Sequence, residues 1–329
     1  MTTPTTPTAS GPDGASPFGP AGTSSSAGSA STSAGITGSG GNTVWLASYP
    51  KSGNTWFRAV FTAWQTGEAV DLNQLGTNDT SSIASSRMRI EEGLGVVSSL
   101  LTPDEVEQLR PRADEVADAG FHAPHLCKVH DALFTGAGGE PIVSVAATRC
   151  ALYVVRDPRD VALSYANHNQ WDVARVVAEM ADERHTMARS TKAPSNQVPQ
   201  RLGTWSEHVT SWLDDAPFAV HVVRYEDCIA NPVATFTTAL RFAGFDADEA
   251  SVAAAVDLTR FDRLAAQEAT DGFRERPTNT GRFFRRGEAG GWRDELDPDL
   301  AATIASDHAS VMHRLGYLDD TDIGPGGSQ

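Results

Sequence analysis

The sequence predicts an α/β domain whose central, mainly parallel sheet is flanked by helices. Three observations predict it. Continuous apolar runs recur at 43–48 (TVWLAS), 150–155 (CALYVV) and 218–223 (FAVHVV). Helical patterns alternate with them, as in chains that wind helices around a buried parallel sheet. With 329 residues, 40% of them hydrophobic and 21% charged, the chain can bury a sizeable core.

Residues 1–42 are almost entirely Thr, Ser, Gly, Ala and Pro. Such a segment buries too little surface to offset its ordering entropy, so a disordered tail is predicted. No Lys or Arg precedes Lys51, so the basic start of a secretory signal and the arginines of a transit peptide are both missing. No apolar run reaches the roughly 18 residues of a membrane span. A cytoplasmic protein is therefore expected, with a folded domain over 43–320 and a flexible C-terminal tail over 321–329.

The run at 43–48 reads as a buried strand that stops at Tyr49 and Pro50. Lys51, Ser52, Gly53, Asn54 and Thr55 form a turn, and a helix follows with Trp56, Val60, Phe61 and Trp64 on one face. Thr102 and Glu105 form a capping box for a helix with Pro103 in its first turn. Residues 126–129 suit a second strand, and 150–155 is the clearest one. It ends at Arg156, Asp157 and Pro158, where Asp157 suits a helix cap and Pro158 a first helical position. Helices are predicted over 204–214, 231–243, 259–269 and 298–315. The Gly- and Arg-rich stretch 271–296 reads as a long functional loop.

The net charge of −16 argues against a nucleic-acid binder, but a pocket for a small anion depends on local charges. Of the 26 cationic residues only Lys51, Lys128 and Lys192 are lysines. Where codon bias favours arginine, a retained lysine marks a place for a compact point charge. Cys127, Cys150 and Cys228 form no CxxC pair and lie in or beside apolar stretches, as reduced core cysteines do.

Three motifs suit an anionic ligand. In the first, Lys51, Ser52, Gly53, Asn54, Thr55 and Trp56 follow a strand and open a helix, where free backbone N–H groups and the helix dipole favour a phosphate. The nucleotide-triphosphate pattern GxxxxGK[ST] is absent. In the second, Arg156 stands at a strand end and Ser164 two helical turns later; a guanidinium can hold a phosphate with two parallel bonds. The third, 282–293 (RFFRRGEAGGWR), combines arginines, small residues and aromatics, as a flat, anionic ligand requires. An ordinary strand–turn–helix, a capped surface helix and a solvated basic loop are the plain alternatives for each in turn.

Together these residues resemble the sulfotransferases that use 3′-phosphoadenosine 5′-phosphosulfate (PAPS), in the family's order across about 43–317. Lys51 to Trp56 resemble the family's 5′-phosphosulfate loop. Arg156 and Ser164 match its 3′-phosphate site, and Arg285, Arg286 and Gly287, with Gly290, Gly291 and Trp292, match its late loop. Tyr225, Glu226 and Asp227 resemble a segment near the adenine, as do Thr259, Arg260 and Phe261 more loosely. The resemblance implies a nucleotide-kinase-like, P-loop-NTPase-like three-layer sandwich. It implies that Lys51 contacts the oxygen bridging sulfur and phosphate, and that Ser52, Gly53, Asn54 and Thr55 hold the 5′-phosphate. Arg156, Ser164, Arg285, Arg286 and Gly287 would hold the 3′-phosphate, and Trp56, Tyr225, Thr259 and Phe261 the adenine. Family members often carry lysine-threonine-histidine at a strand end. The match here, Lys128-Val129-His130, makes His130 the general base and Lys128 a stabiliser of the sulfonyl oxygens, with Lys51 and Ser164 completing the catalytic group.

This sequence departs from that pattern at Val129 (usually threonine), Asn54 (threonine), Arg286 and Arg293 (lysine) and Gly291 (aspartate). Asp131 is placed to orient the His130 ring or to cap the next turn. His168, His208 and His221 are expected on helix surfaces or within a strand. The spacing of His122, His125, Cys127 and His130 matches no zinc pattern, and the chemistry needs no metal. By likeness to bacterial members, the expected acceptor is a small molecule, glycan or glycolipid, its pocket supplied by 66–125 and 171–203. Adenosine 3′,5′-bisphosphate (PAP) would be the product. A non-catalytic PAP-binding protein and a nucleotide-type kinase are the competing functions.

Overall fold

The structure, a computed structural model, describes residues 40–76, 81–189, 195–277 and 281–319. The predicted tail up to residue 39, Lys192 and the stretch 321–329 lie outside these. The chain runs through β1 (Thr43–Ala47), α1 (Asn54–Thr66), β2 (Ser81–Ile83), α2 (Arg87–Leu94), α3 (Pro103–Asp118), β3 (His125–Val129) and β4 (Thr148–Val155). It continues through α4 (Pro158–Asn169), α5 (Val173–Met180), β5 (Thr186–Met187), β6 (Gln200–Arg201), α6 (Trp205–Leu213) and β7 (Val220–Arg224). The last helices are α7 (Tyr225–Ala230), α8 (Pro232–Phe242), α9 (Glu249–Leu258), α10 (Phe261–Asp271), α11 (Trp292–Glu295), α12 (Pro298–Asp307) and α13 (Ala309–Arg314).

Five strands form one sheet in the order β2-β3-β1-β4-β7, every neighbouring pair parallel. Side chains alternate between its faces. Trp45, Ala47, Cys127, Val129, Ala151, Tyr153 and Val155 enter a core shared with α4, α5, α6, α12 and α13. Val44, Leu46, Leu126, Cys150, Leu152, Val154 and Val223 enter a second core with α1, α8, α9 and α10. Burial on both faces explains why these strands read as unbroken apolar runs. The predicted three-layer α/β sandwich is the observed fold, and all three cysteines are free and buried.

The chain leaves β1 to build β2 and β3 on one side and β4 and β7 on the other. The carboxyl ends of the strands flanking such a switch point form a crevice for ligands, and the motif-bearing segments follow those ends. The caps stand as predicted, with the Thr102–Glu105 box on α3, and Asp157 accepting the Arg159 N–H at the head of α4.

Three readings need correction. The helix expected over 298–315 is two helices, because His308 leaves helical geometry and buries its ring against Trp205, with Nδ1 bonded to Ser206 Oγ at 2.9 Å. Order begins before residue 43, since the Asn42 N–H donates to Asp118 Oδ1 at 3.0 Å and its amide to the Phe121 carbonyl at 2.9 Å. Asp131 neither orients His130 nor caps a turn. It is fully buried, and its carboxylate receives two bonds from Arg110, at 2.9 and 2.6 Å. Such a fork holds a carboxylate that burial alone would penalise.

Candidate active site

The carboxyl ends of β1, β3, β4 and β7 open into a cleft of about 1400 Å³. Lys51, Gly53, Asn54, Thr55, Trp56, Lys128, His130, Arg156, Ser164, Tyr225, Phe261, Arg285, Arg286 and Gly287 all line it. Ser52 and Thr259 do not. Ser52 is fully buried behind the turn, its Oγ without a partner. Thr259 is also buried. Its hydroxyl donates to the Ala255 carbonyl at 2.8 Å, and its own carbonyl accepts from the Trp56 indole at 3.2 Å, so it supports Trp56 from beneath.

The turn after β1 is tightly constrained. Lys51 is left-handed at φ 71 and Gly53 at φ 111. A Cβ on Gly53 would fall 2.7 Å from the Tyr225 ring, so only glycine lets that ring close over the turn. Tyr225 in turn lies 4.3 Å beneath the Arg156 guanidinium. In the late loop, a Cβ on Gly287 would fall 2.1 Å from Phe261, which fixes the close approach of loop and aromatic.

The lysine ammonium groups are poorly neutralised. Lys51 Nζ donates to His168 Nδ1 at 3.3 Å and sits 3.9 Å over the Phe283 ring. Among the described residues no carboxylate lies within ion-pair distance of it. Burial first, then Lys128, pushes its ammonium down to about 7. His168 is held neutral, pushed to about 3 by burial and then by Lys51. Burial also lowers Lys128, opposed by Glu275, whose Oε2 is 3.5 Å from Nζ.

His130 Nδ1 lies 2.8 Å from the Ser48 carbonyl. A carbonyl only accepts, so Nδ1 carries the hydrogen and Nε2 keeps its lone pair. Burial and the neighbouring Lys128 lower the ring well below its usual range, so it is neutral near pH 7. Its backbone carbonyl accepts from His208 Nε2 at 2.9 Å, and His208 Nδ1 accepts from the Tyr153 hydroxyl at 2.8 Å. His208 is therefore a fully buried support and His168 lines the cleft, whereas surface positions were expected on their helices. His221 lies in β7, as expected.

The late loop is anchored by carboxylates that the sequence did not announce. Glu268 accepts the Phe283 and Phe284 N–H groups at 2.6 and 2.9 Å. Asp160 accepts those of Gly290 and Trp292 at 2.7 and 2.9 Å. Asp160 lies one helical turn after Arg156, a signal that could have flagged it; Glu268 offers no local signal. Arg285 pairs with Glu295 at 2.5 Å, and Arg286 pairs with Glu288 at 2.7 Å and with Glu295. His125 stacks on Phe121 at 3.6 Å between ring centres, and no cluster of three or more metal-ligating side chains occurs among the described residues.

The sequence profile of the sulfotransferase domain matches residues 143–316, more than half of the chain. The chain belongs to the sulfotransferase family. It is a PAPS-dependent sulfotransferase, as its sequence motifs imply. This sulfotransferase is 24% identical to cytosolic sulfotransferase 16 of Arabidopsis thaliana over 272 residues, covering 79% of this chain and 72% of the relative. It is also 24% identical to cytosolic sulfotransferase 17 of the same plant over 295 residues, covering 84% and 76%. Its fold matches that of the mouse sulfotransferase SULT7A1 complexed with PAP (TM-score 0.51, 17% identity, 85% of this chain and 86% of that one). It likewise matches retinol dehydratase in complex with androsterone and the inactive cofactor PAP (TM-score 0.52, 18% identity, 87% and 83%).

The residues present fit an anionic nucleotide. Among the described residues Lys51 lacks a carboxylate partner, and the buried Arg156 Nε and Ser52 Oγ lack hydrogen-bond partners. The first-turn N–H groups of α1 open toward the same cleft. Among the described residues no helix is long and apolar enough to cross a membrane.

Proposed function

We propose that this cleft transfers the sulfonyl group of PAPS to a hydroxyl or amine of a small-molecule, glycan or glycolipid acceptor in the cytoplasm, leaving PAP. The observation that carries this reading is the His130 ring bonded through Nδ1 to the Ser48 carbonyl, its Nε2 without a hydrogen-bond partner among the described residues, set beside Lys128 in the cleft that also holds Lys51. PAPS supplies an activated sulfonyl group; positioning, charge and proton transfer fall to the chain.

Lys51 balances charge growing on the departing phosphate, and Lys128 the charge on the sulfonyl oxygens, both strongest in the transition state. Gly53, Asn54 and Thr55 receive the 5′-phosphate at the head of α1, with Ser52 contributing through the turn behind them. Arg156, Ser164, Arg285, Arg286 and Gly287 receive the 3′-phosphate, whose oxygens then compete with Glu288 and Glu295 for the loop arginines. Trp56, Tyr225 and Phe261 enclose the adenine, and Thr259 supports Trp56. His130 Nε2 takes the acceptor proton during attack, while the Ser48 carbonyl holds Nδ1–H and fixes the ring.

The test is transfer of radiolabelled sulfonyl from PAPS to extracts and to an acceptor panel, by wild type and by His130→Ala. The variant is expected to lose about 10²- to 10⁴-fold in kcat with unchanged PAP affinity. Full activity in His130→Ala would remove the base assignment. Tight PAP binding with no transfer to any acceptor would favour a non-catalytic binder, and magnesium-dependent ATP turnover a kinase.

A further inference from the structure

Glu275 lines the cleft beside Lys128 and belongs to none of the three phosphate motifs. Glu275 follows α10, at the start of the segment leading into the late loop. Its Oε1 accepts from Arg58 Nη1 at 2.8 Å, and its Oε2 faces Lys128 Nζ at 3.5 Å. Arg58 lies on α1, directly behind the phosphate turn, and is fully buried. Among the described residues its Nε and Nη2 have no partner, and the bond to Glu275 is the one that answers its charge. A cation so deeply buried needs a counter-ion. Glu275 thereby ties together the helix behind the turn, the strand carrying Lys128 and His130, and the approach to the late loop.

Resting on the assignment of Lys128 to the sulfonyl oxygens, we propose that Glu275 is a positioning residue for sulfonyl transfer, holding the Lys128 ammonium charged and aimed into the cleft. The electrostatics agree. Burial alone would raise the Glu275 carboxyl, yet Lys128 and Arg58 hold it down at about 2. Among the described residues the other titratable groups facing Lys128 are Lys51, Arg58, His130 and His168, all cationic or basic, and none can replace a carboxylate. Because Arg58 fixes the first oxygen, the second has one direction left, toward Nζ. Without that anion, a buried ammonium among cations gives up its proton more readily.

The chain carries only three lysines, so protein labelled with ¹³C at the lysine ε-carbon gives a spectrum that can be assigned by deletion. In Glu275→Gln, the Lys128 titration midpoint is expected to fall by about one pH unit or more, with Lys192 unmoved. The kcat for transfer is expected to fall about 10- to 100-fold, with PAP affinity held within about threefold. In a Lys128→Ala background the same substitution should lower kcat clearly less than in wild type, because the part that acts through Lys128 is gone and only the loss of the Arg58 partner remains. Should Glu275→Gln lose its fold, Glu275→Asp, whose carboxylate is one methylene shorter, is expected to shift the midpoint in the same sense by less. An unmoved midpoint in the folded variant, or an equal loss of rate with and without Lys128, overturns the proposal. A wild type that transfers to no acceptor would instead defeat the functional reading, while the titration still decides the coupling of Glu275 to Lys128.

Discussion

The two ends of the cleft are built on different principles. At the end that we propose takes the nucleotide, the side chains come from the ends of β1, β4 and β7 and from one anchored loop, and charge is concentrated there in a chain of net −16. At the other end, the lining comes from the end of β2, α2, the connection from α4 to α5, β5 and the stretch before β6, with Ile83, Met88, Trp171 and Met187 among the wall residues. Its local ties mix backbone and side chain, as in the bridge between Ser86 and Gln197 and the bond from Arg87 Nε to the Ser195 carbonyl at 2.8 Å. A fixed polyanion requires donors at fixed places on a rigid sheet edge. A varied acceptor requires only a wall of suitable shape, which short elements and loops can supply.

The largest effect that could break this contrast is on Lys51. Lys51→Ala should lower kcat/KM about 10³-fold or more for every acceptor alike, measured by sulfonyl transfer. An acceptor-dependent loss would mean that the ends are not separate. A smaller effect follows from pH. Lys51 sits at about 7 in the ligand-free site, facing Lys128, Arg156, His168, Glu275 and Glu268. It is charged below that pH and loses its charge above it, while an adjacent phosphate favours the charged form. PAP binding should therefore take up a proton above pH 7, and affinity should fall by up to about tenfold per pH unit. Calorimetry in buffers of different ionisation enthalpy reads both, and binding without proton uptake at pH 8 would contradict it. The smallest effect belongs to the far wall. Trp171→Ala should raise the KM of bulky acceptors by about five- to tenfold and leave PAP affinity within about twofold. Titrations with PAP and with acceptor separate the two.

The same contrast explains what the sequence disclosed. Continuous apolar strands bounded by turns revealed β1, β3 and β4, because a strand buried on both faces has one composition; the edge strand β7, only partly buried, was found by the same kind of run. The turn after β1 and Arg156 could be placed beside strand ends from the sequence alone, because each directly follows an apolar run; their proposed part in anion recognition rests on residue types that such recognition restricts. Short elements such as β2, α2 and the β5–β6 hairpin carry too few residues to show a period. Asp131 was misread because its partner, Arg110, lies 21 residues earlier on α3. Glu268 and Glu275 were missed for a similar reason: a carboxylate has no local signature when the groups it serves, Phe283, Lys128 and Arg58, are brought to it by the fold.

The left-handed backbone of Lys51 has an evolutionary side. A residue with a Cβ at that φ costs roughly 1 kcal/mol or more relative to glycine. On the role proposed for Lys51, the turn keeps its strained residue for the ammonium it bears, and selection for stability alone would push the position toward glycine and extinguish the activity. On that reading, drift at this one codon is opposed by function rather than by folding. A sequence of this fold with glycine there would be expected to outlast its active relatives on heating while having left the trade of moving sulfonyl groups.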